Sequence, residues 1–161
     1  MHQVCTYASS GVMSLNSEAT DVWLDLVELT VDSVHLNGIE VGFEQGEFQL
    51  HVDAPQLGWE TNSPYVVDVW YGGIPYQDPY WGGFYFVSDY IYNLGIGLTT
   101  IPPNFGKVWY PCFDNFVERA TYTYNVTSAG GRTAHCQGTF LGETQLGGDT
   151  VTRSFNLAHP I

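Results

Sequence analysis

Few residues of this 161-residue chain have the types and the spacing that catalysis needs. It contains no H-E-x-x-H pair for zinc, no G-x-S-x-G nucleophile turn and no phosphate-binding glycine loop. His51 and Asp53 could share a metal ion on one face of a strand, although exposed strand faces often carry such a pair. His135 and Cys136 are adjacent, so on a strand their side chains would point to opposite faces. The sequence therefore predicts no catalytic residue and no metal site.

The aromatic segment, residues 69–86, is the most unusual stretch by composition, with the sequence "VWYGGIPYQDPYWGGFYF". Its rings stand among Gly and Pro, which are typical of loops. Exposed flat rings could bind a carbohydrate or a peptide, whereas rings that cover the open end of a β core or an interface with another domain would leave the same pattern. The candidate binding residues are Trp70, Tyr71, Tyr76, Tyr80 and Trp81.

The charge balance excludes several classes of partner. The chain has 17 acidic and 4 basic residues, which gives a formal net charge of −13. Binding to nucleic acid requires clustered Lys and Arg, and anionic membrane surfaces are disfavoured for the same reason. No apolar run approaches the ~20 residues that span a membrane. We expect neither nucleic acid nor a membrane as partner, and the acidic surplus serves either solubility, as in a salty environment, or the attraction of cationic ligands.

The alternation of apolar and polar residues indicates strands along the whole chain. Aromatic residues make up 16% of the sequence and 18 residues are Gly, a composition that favours pleated strands and turns. Asn37-Gly38 between two β-type runs is the strongest hairpin signal. Further strands are expected in the segments 20–31, 47–54, 63–73, 83–95, 118–128, 132–144 and 149–161. The prediction is one all-β domain over residues 1–161, with about nine or ten strands in a large twisted, saddle-like antiparallel sheet or a sandwich.

The stretch "WYPCFDNFVERATYTYNVTSAGGRTAHCQG" resembles the N-terminal domain of the aminopeptidase N-like zinc metallopeptidases, also called gluzincin aminopeptidases. In that family an aromatic-Pro-Cys-aromatic-Asp element precedes a basic residue, a "KATY"-like strand, a turn and a further strand. Tyr110–Asp114, Arg119–Tyr122 and Thr133–Gly138 follow this order, and "VDSVHLNG" is similar to the family's upstream hairpin. The resemblance covers about residues 20–161 and looks closest to secreted members from Bacteroidetes-like bacteria.

This resemblance implies a non-catalytic domain that packs on a thermolysin-like catalytic domain and borders its substrate cleft. Zinc would belong to that catalytic domain, so the 161-residue chain would hold no cofactor and would be inactive alone. The expected partners are its own catalytic domain and a peptide substrate. The chain would be a fragment, trimmed at both ends, of a secreted or periplasmic protein whose signal peptide is absent here.

The resemblance also implies where the substrate would lie. The cleft would run beside the pre-corner loop, residues 97–106, which leads into the Pro-Cys corner, residues 110–114. Family aminopeptidases hold the substrate's free amino terminus with a Gln or Glu at the position that Thr100 occupies here. Thr cannot supply that carboxylate or amide carbonyl, so aminopeptidase specificity stays open. Thr100 and the nearby Asn104 are the predicted substrate-binding residues.

The same resemblance makes the Pro-Cys corner a structural element. Pro111 would fix the chain direction, Cys112 would pack as a small apolar side chain, and Asp114 would bind local backbone amides. Cys112 and Cys136 begin motifs that should neighbour each other across strands, so an exported protein would form a disulfide between them. Such a bridge would close a loop of about 24 residues and contribute on the order of 3 kcal/mol.

Overall fold

The computed structural model describes residues 5–15, 21–55 and 58–161, and these residues form antiparallel strands with one short 3₁₀ turn, Gly106–Val108. The predicted all-β class is confirmed. The strands are β1 (Cys5–Ser14), β2 (Val22–Asp25), β3 (Thr30–Leu36), β4 (Ile39–Val41), β5 (Phe43–Gln45), β6 (Gln49–Val52), β7 (Pro64–Gly73), β8 (Gly82–Val87), β9 (Tyr90–Gly97), β10 (Tyr122–Ser128), β11 (Thr139–Gly147) and β12 (Thr150–Leu157).

The strand count differs from the prediction because β1 and β5 were not expected and the segment 83–95 holds two strands. The segment 83–95 forms a hairpin of β8 and β9. The segment 20–31 spans β2 and the start of β3, and its first residue, Thr20, lies outside the described residues. Val22, Leu24 and Leu26, which share one face of this segment by their alternate spacing, are all buried. No helix among the described residues has the length and apolar character to cross a membrane.

The chain divides into two compact units where the sequence predicts a single domain. The first unit ends at Asn115, and the second runs from Phe116 to Ile161. The first contains the sheets β1-β7-β3-β4, β2-β6-β5 and β8-β9, and the second contains the sheet β10-β12-β11. The amino-acid composition does not change at this boundary. Asn115 and Phe116 follow directly on the Pro-Cys corner.

The core of the first unit lies between two sheets, as in a β-sandwich. Inward-facing side chains of β3 and β7 pack in one cluster with those of β2 and β6, and Val34, Leu50 and Val52 are completely buried. Along β7 the buried positions alternate, as the period of a half-buried strand requires. Each fully buried aliphatic side chain stabilises the fold by about 1.5–3 kcal/mol.

The predicted hairpin at Asn37-Gly38 is confirmed. β3 and β4 pair with Leu36 opposite Ile39, so two residues make the turn. Both have positive φ, +50° at Asn37 and +80° at Gly38, which is the requirement of a type I′ turn. The Oδ1 atom of Asn37 also accepts a hydrogen bond from the backbone N of Val66 at 2.8 Å, which ties the turn to β7.

The second unit is a three-stranded sheet with a polar face and an aromatic face. The predicted alternation is confirmed on β10, where Tyr122, Tyr124 and Val126 are half-buried and the residues between them are exposed. The polar face carries small hydroxyl and amide side chains that pair across strands. Its contacts are Thr127 Oγ1 to Thr152 Oγ1 at 2.7 Å, Ser154 Oγ to Asn125 Oδ1 at 2.7 Å, and Asn156 Nδ2 to Thr123 Oγ1 at 3.1 Å.

Candidate functional site

The pre-corner loop folds back on the end of β9. Ile96 and Asn104 form an isolated antiparallel bridge, and the backbone N of Gly97 donates to the carbonyl of Pro103 at 2.9 Å. The backbone N of Phe105 donates to the carbonyl of Gly95 at 3.1 Å. These bonds close the loop at its base and leave Ile101 at its tip, 99% exposed.

The ring of Phe105 fills the space below this loop. It is buried and meets Tyr76 edge-on, with ring centroids 5.8 Å apart. A Cβ atom at Gly97 would lie 2.8–3.0 Å from three atoms of that ring, and one at Gly83 would lie 3.3 Å from it. Glycine at position 97 therefore allows the close approach of backbone to ring, whereas a Cβ atom at position 83 would first meet the carbonyl oxygen of Tyr76, at 2.5 Å.

Asp78 is a buried charged residue, 2% exposed, and it joins two segments. Its Oδ1 atom accepts hydrogen bonds from the backbone N atoms of Tyr80 and Trp81 at 2.9 and 3.0 Å. Its Oδ2 atom accepts one from the backbone N of Thr99 at 2.8 Å and one from the Thr99 hydroxyl. Burial raises the pKa of this carboxyl, but the four hydrogen bonds lower it more, and the resulting pKa is about 2. Asp78 is therefore an anion at neutral pH.

The predicted aromatic residues do not form one surface. Tyr80 is 83% and Trp81 48% exposed in the aromatic turn, residues 78–82. Tyr76 is half-buried against Phe105, and Trp70 lies on β7 with its ring 4.7 Å from that of His35.

Tyr71 is one of the candidate binding residues, but its side chain is not accessible to a ligand; of the two interpretations of the aromatic segment, it fits packing on the β core. It is 2% exposed, belongs to the hydrophobic core and stacks on Tyr7. Its hydroxyl donates to the carbonyl of Trp109 at 3.1 Å, and burial raises its pKa well above the usual range. The physical reason is the alternation of β7, which places Tyr71 and its neighbour Trp70 on opposite faces.

The two predicted substrate-binding residues use their polar atoms within the loop. The Thr100 hydroxyl donates to the carbonyl of Gly97 at 3.2 Å. The Asn104 side-chain amide donates to the carbonyl of Asp114, and its Oδ1 atom is buried without a hydrogen-bond partner among the described residues. Both side chains are half-buried, so they hold the shape of the loop in this structure.

The Pro-Cys corner is bound to the end of β2. Cys112 and Asp25 exchange backbone hydrogen bonds of 2.7 and 3.2 Å. Asp114 accepts a hydrogen bond from the backbone N of Gly106 at 3.1 Å, as predicted, and its Oδ2 atom lies 3.0 Å from Lys107 Nζ. The corner thus ends the pre-corner loop at a fixed place on the first unit.

The predicted disulfide is not formed in this structure, because Cys112 and Cys136 are both free thiols. Cys112 belongs to the first unit and Cys136 to the second, each with its own surroundings. Burial, with the nearby negative charges of Asp114 and Asp25, raises the pKa of Cys112, and burial also raises that of Cys136.

The outer face of β2 and β6 carries the histidine that the sequence singles out. His51 stacks on Trp23 with ring centroids 4.4 Å apart, and its nitrogens lie 3.4 Å from Asp21 and 3.8 Å from Asp53. Across residues 5–15, 21–55 and 58–161, no three His, Cys, Asp or Glu side chains are grouped to hold a metal ion.

Exposed apolar side chains concentrate around the hairpin of β8 and β9 and the adjoining loops. Tyr85 and Tyr92 stack across the hairpin with centroids 5.1 Å apart. The exposed apolar residues of this region are Tyr80, Trp81, Val87, Tyr90, Ile91, Tyr92, Ile96, Leu98 and Ile101. Exposed apolar side chains that are grouped along the chain in this way are typical of interaction surfaces, so this region is a candidate interaction surface.

No protein-family model matches this chain, and neither does any curated protein sequence. Solved structures do match. A mutant M1 zinc metallopeptidase from Deinococcus radiodurans, bound to a Tyr-Ser-Ala substrate, is 20% identical with a TM-score of 0.80, over 97% of this chain and 36% of that one. Aminopeptidase A from Legionella pneumophila is 14% identical with a TM-score of 0.72, over 95% of this chain and 18% of that one.

Native yeast LTA4 hydrolase also matches, at 16% identity and a TM-score of 0.68, over 98% of this chain and 24% of that one. The chain therefore spans only about a third or less of the length of these proteins, at 36%, 18% and 24%. At such low identity the likeness establishes a shared fold over nearly the whole chain.

Proposed function

We propose that this chain is the non-catalytic N-terminal β domain of a secreted zinc metallopeptidase of the aminopeptidase N-like, gluzincin type. The observation that carries the proposal is the fold likeness, in which 97% of this chain matches 36% of the Deinococcus metallopeptidase. The order of residues in the Pro-Cys corner and the strand after it supports the same assignment independently of the fold.

The proposed partner is the catalytic domain of the same polypeptide, which would also hold the zinc ion. The exposed apolar side chains of the β8–β9 hairpin itself, Val87, Tyr90, Ile91 and Tyr92, support such a partner, since covering them would remove apolar area from water. In this proposal the pre-corner loop borders the substrate cleft, and export of the whole polypeptide follows from the likeness to secreted members of the family.

The decisive experiment compares the complete encoded polypeptide with the 161-residue chain. We expect the complete polypeptide to hydrolyse aminoacyl fluorogenic substrates, to lose this activity with a chelator and to regain it with Zn²⁺. The chain alone should be inactive. Zinc-dependent hydrolysis by the chain alone, or inactivity of the complete zinc-loaded polypeptide, would refute the proposal.

The proposed substrate contacts at Thr100 and Asn104 have a separate test. Thr100→Glu in the complete polypeptide should strengthen the preference for free amino termini, because a carboxylate in the cleft pairs well with an ammonium group. The measurement is the ratio of kcat/KM for one peptide with a free and with a blocked amino terminus. An unchanged ratio would mean that the pre-corner loop does not contact the amino terminus.

A second candidate function is a stand-alone module that binds carbohydrate or peptide through the aromatic segment. The exposure of Tyr80 and Trp81 favours it, whereas the burial of Tyr71 removes one of its predicted rings. Calorimetry against a panel of polysaccharides would distinguish the candidates. Binding that disappears in Trp81→Ala would support the module, and no binding across the panel would leave the metallopeptidase domain.

A further inference from the structure

The aromatic turn and the pre-corner loop, which the sequence assigns to two different functions, lie side by side. The backbone N of Leu98 donates to the carbonyl of Trp81 at 3.1 Å, and that of Thr99 donates to Asp78 Oδ2 at 2.8 Å. These bonds join residues that are 17 and 21 positions apart in the chain. The exposed side chains of both segments therefore belong to one surface.

Asp78 restrains both segments at once. One carboxylate oxygen accepts two backbone N–H groups of the turn, and the other accepts the backbone N–H and the hydroxyl of Thr99. Hydrogen bonds to an ionised acceptor are stronger than neutral ones, and a buried anion that loses its donors is costly. The loop cannot leave the turn without exposing or orphaning this charge.

The chemical character of this surface, which the turn and the loop form together, restricts the class of ligand that it can bind. Tyr80, Trp81, Leu98 and Ile101 are exposed there, and the only acidic or basic side chain in residues 78–82 and 97–106 is Asp78, which is buried. On a chain with a net charge of −13, this surface therefore presents no charged side chain of its own. It suits a neutral apolar group better than a cation or an anion.

We propose that Asp78 is a positioning residue and that the turn and loop which it joins form one apolar surface for an aromatic or aliphatic side chain of a peptide. The choice of a peptide rests on the proposed function. Trp81 supplies the flat wall of this surface and determines specificity, while Asp78 acts through the backbone of the turn and the loop. Because hydrogen bonds already hold the turn and the loop in place, their residues lose little conformational entropy when the ligand binds.

The first test measures selectivity in the complete polypeptide. The substrates are Tyr-Ser-Ala and Gly-Ser-Ala, which differ only in the first side chain. Trp81→Ala should lower the ratio of their kcat/KM values about tenfold, mainly through a higher KM for the tyrosine peptide. The matched control is Phe48→Ala, because Phe48 is a similarly exposed ring before β6 and should leave the ratio unchanged. An unchanged ratio in Trp81→Ala would overturn the specificity role.

The second test separates positioning from mere stability. Thr99→Val removes the hydroxyl that donates to Asp78, whereas Thr99→Ser keeps it. Thr99→Val should lower the ratio of kcat/KM for the two peptides a few-fold and speed hydrogen exchange at the amides of Leu98 and Thr99. Thr99→Ser should leave both the ratio and the exchange rates at their wild-type values. A loss of folded protein alone would reduce total activity but not the ratio. If Thr99→Val and Asp78→Asn both keep the ratio, Asp78 is not a positioning residue.

Binding without turnover distinguishes a failure of this inference from a failure of the proposed function. Tyr-Ser-Ala is titrated calorimetrically into the chelated complete polypeptide. Binding that weakens in Trp81→Ala, without zinc-dependent hydrolysis by wild type, would uphold the surface and refute the metallopeptidase. Zinc-dependent hydrolysis with unaltered selectivity and binding in Trp81→Ala would uphold the metallopeptidase and refute the surface.

Discussion

The two compact units use the same kind of antiparallel strand, yet they differ in how much they bury. All the buried hydrophobic side chains except Phe155 belong to the first unit. The second unit instead has pairs of hydroxyl and amide side chains across its polar face. Strand alternation alone therefore yields a sheet, whereas a core needs a second sheet to pack against. The first unit should depend on apolar burial and the second on strand pairing.

The largest effect should come from the centre of the first core. Leu50→Ala should lower the free energy of unfolding by about 4 kcal/mol, because Leu50 is completely buried and its truncation leaves a cavity. Leu141→Ala in the second unit should change it by no more than about 0.5 kcal/mol, since Leu141 is exposed. Urea unfolding measures both variants, and equal losses would contradict the comparison.

Phe155→Ala should lower the free energy of unfolding by about 3 kcal/mol, somewhat less than Leu50→Ala. Its neighbour Phe140 is exposed and can partly fill the gap. The loss should be local. Hydrogen exchange should accelerate in β10, β11 and β12 while the amides of β3 and β7 keep their protection. Acceleration in all strands alike would mean that the two units unfold as one.

Acid should weaken the first unit through Asp78. Its pKa is about 2 in the folded chain, below the unfolded value of about 3.9, so its contribution is complete above pH ~4 and disappears as pH falls through 2. Wild type should therefore lose stability between pH 4 and pH 2. Asp78→Asn should be less stable at pH 7 and should show a weaker dependence on pH in that range. Urea midpoints at several pH values provide the measurement, and parallel curves would contradict the assignment.

The smallest effect should come from the polar face of the second unit. Thr127→Val removes the hydroxyl contact with Thr152 and should cost about 0.5 kcal/mol, because both groups are exposed and water replaces the lost bond. Thr121→Val is the matched control, because Thr121 is exposed and lies just before the paired residues of β10. A loss above about 2 kcal/mol would mean that the polar face is buried against something.

Local patterns predicted the elements of the fold better than its assembly. Asn37-Gly38 specified its turn because positive φ at both positions is a local requirement. The alternation of β7 also predicts that Tyr71 is buried, because Tyr71 lies on the same face of the strand as Val69 and Val67. The aromatic and glycine-rich composition around Tyr71 indicates a loop, whereas the period-2 alternation of β7 determines its burial.

The hydrogen bonds that Asp78 accepts could be predicted only in part from the sequence. Asp78-Pro79 is a turn signal, and the hydrogen bonds to Tyr80 and Trp81 follow from it. The bond to Thr99 could not be foreseen, because its partner is 21 residues away and is brought near by the hairpin of β8 and β9. The division into two units had no sequence signal for the same reason, since it depends on which sheets share a core.

The packing of Phe105 under the pre-corner loop limits how related sequences can diverge. Because a Cβ atom at Gly97 would lie 2.8 Å from the ring, a side chain can appear at position 97 only together with a smaller residue at position 105. The two positions should therefore covary among homologues, with glycine retained wherever the phenylalanine is. Substitutions at the exposed tip, such as at Ile101, are free of this coupling and can drift independently. The loop can thus change its exposed residues over evolutionary time while its base stays fixed.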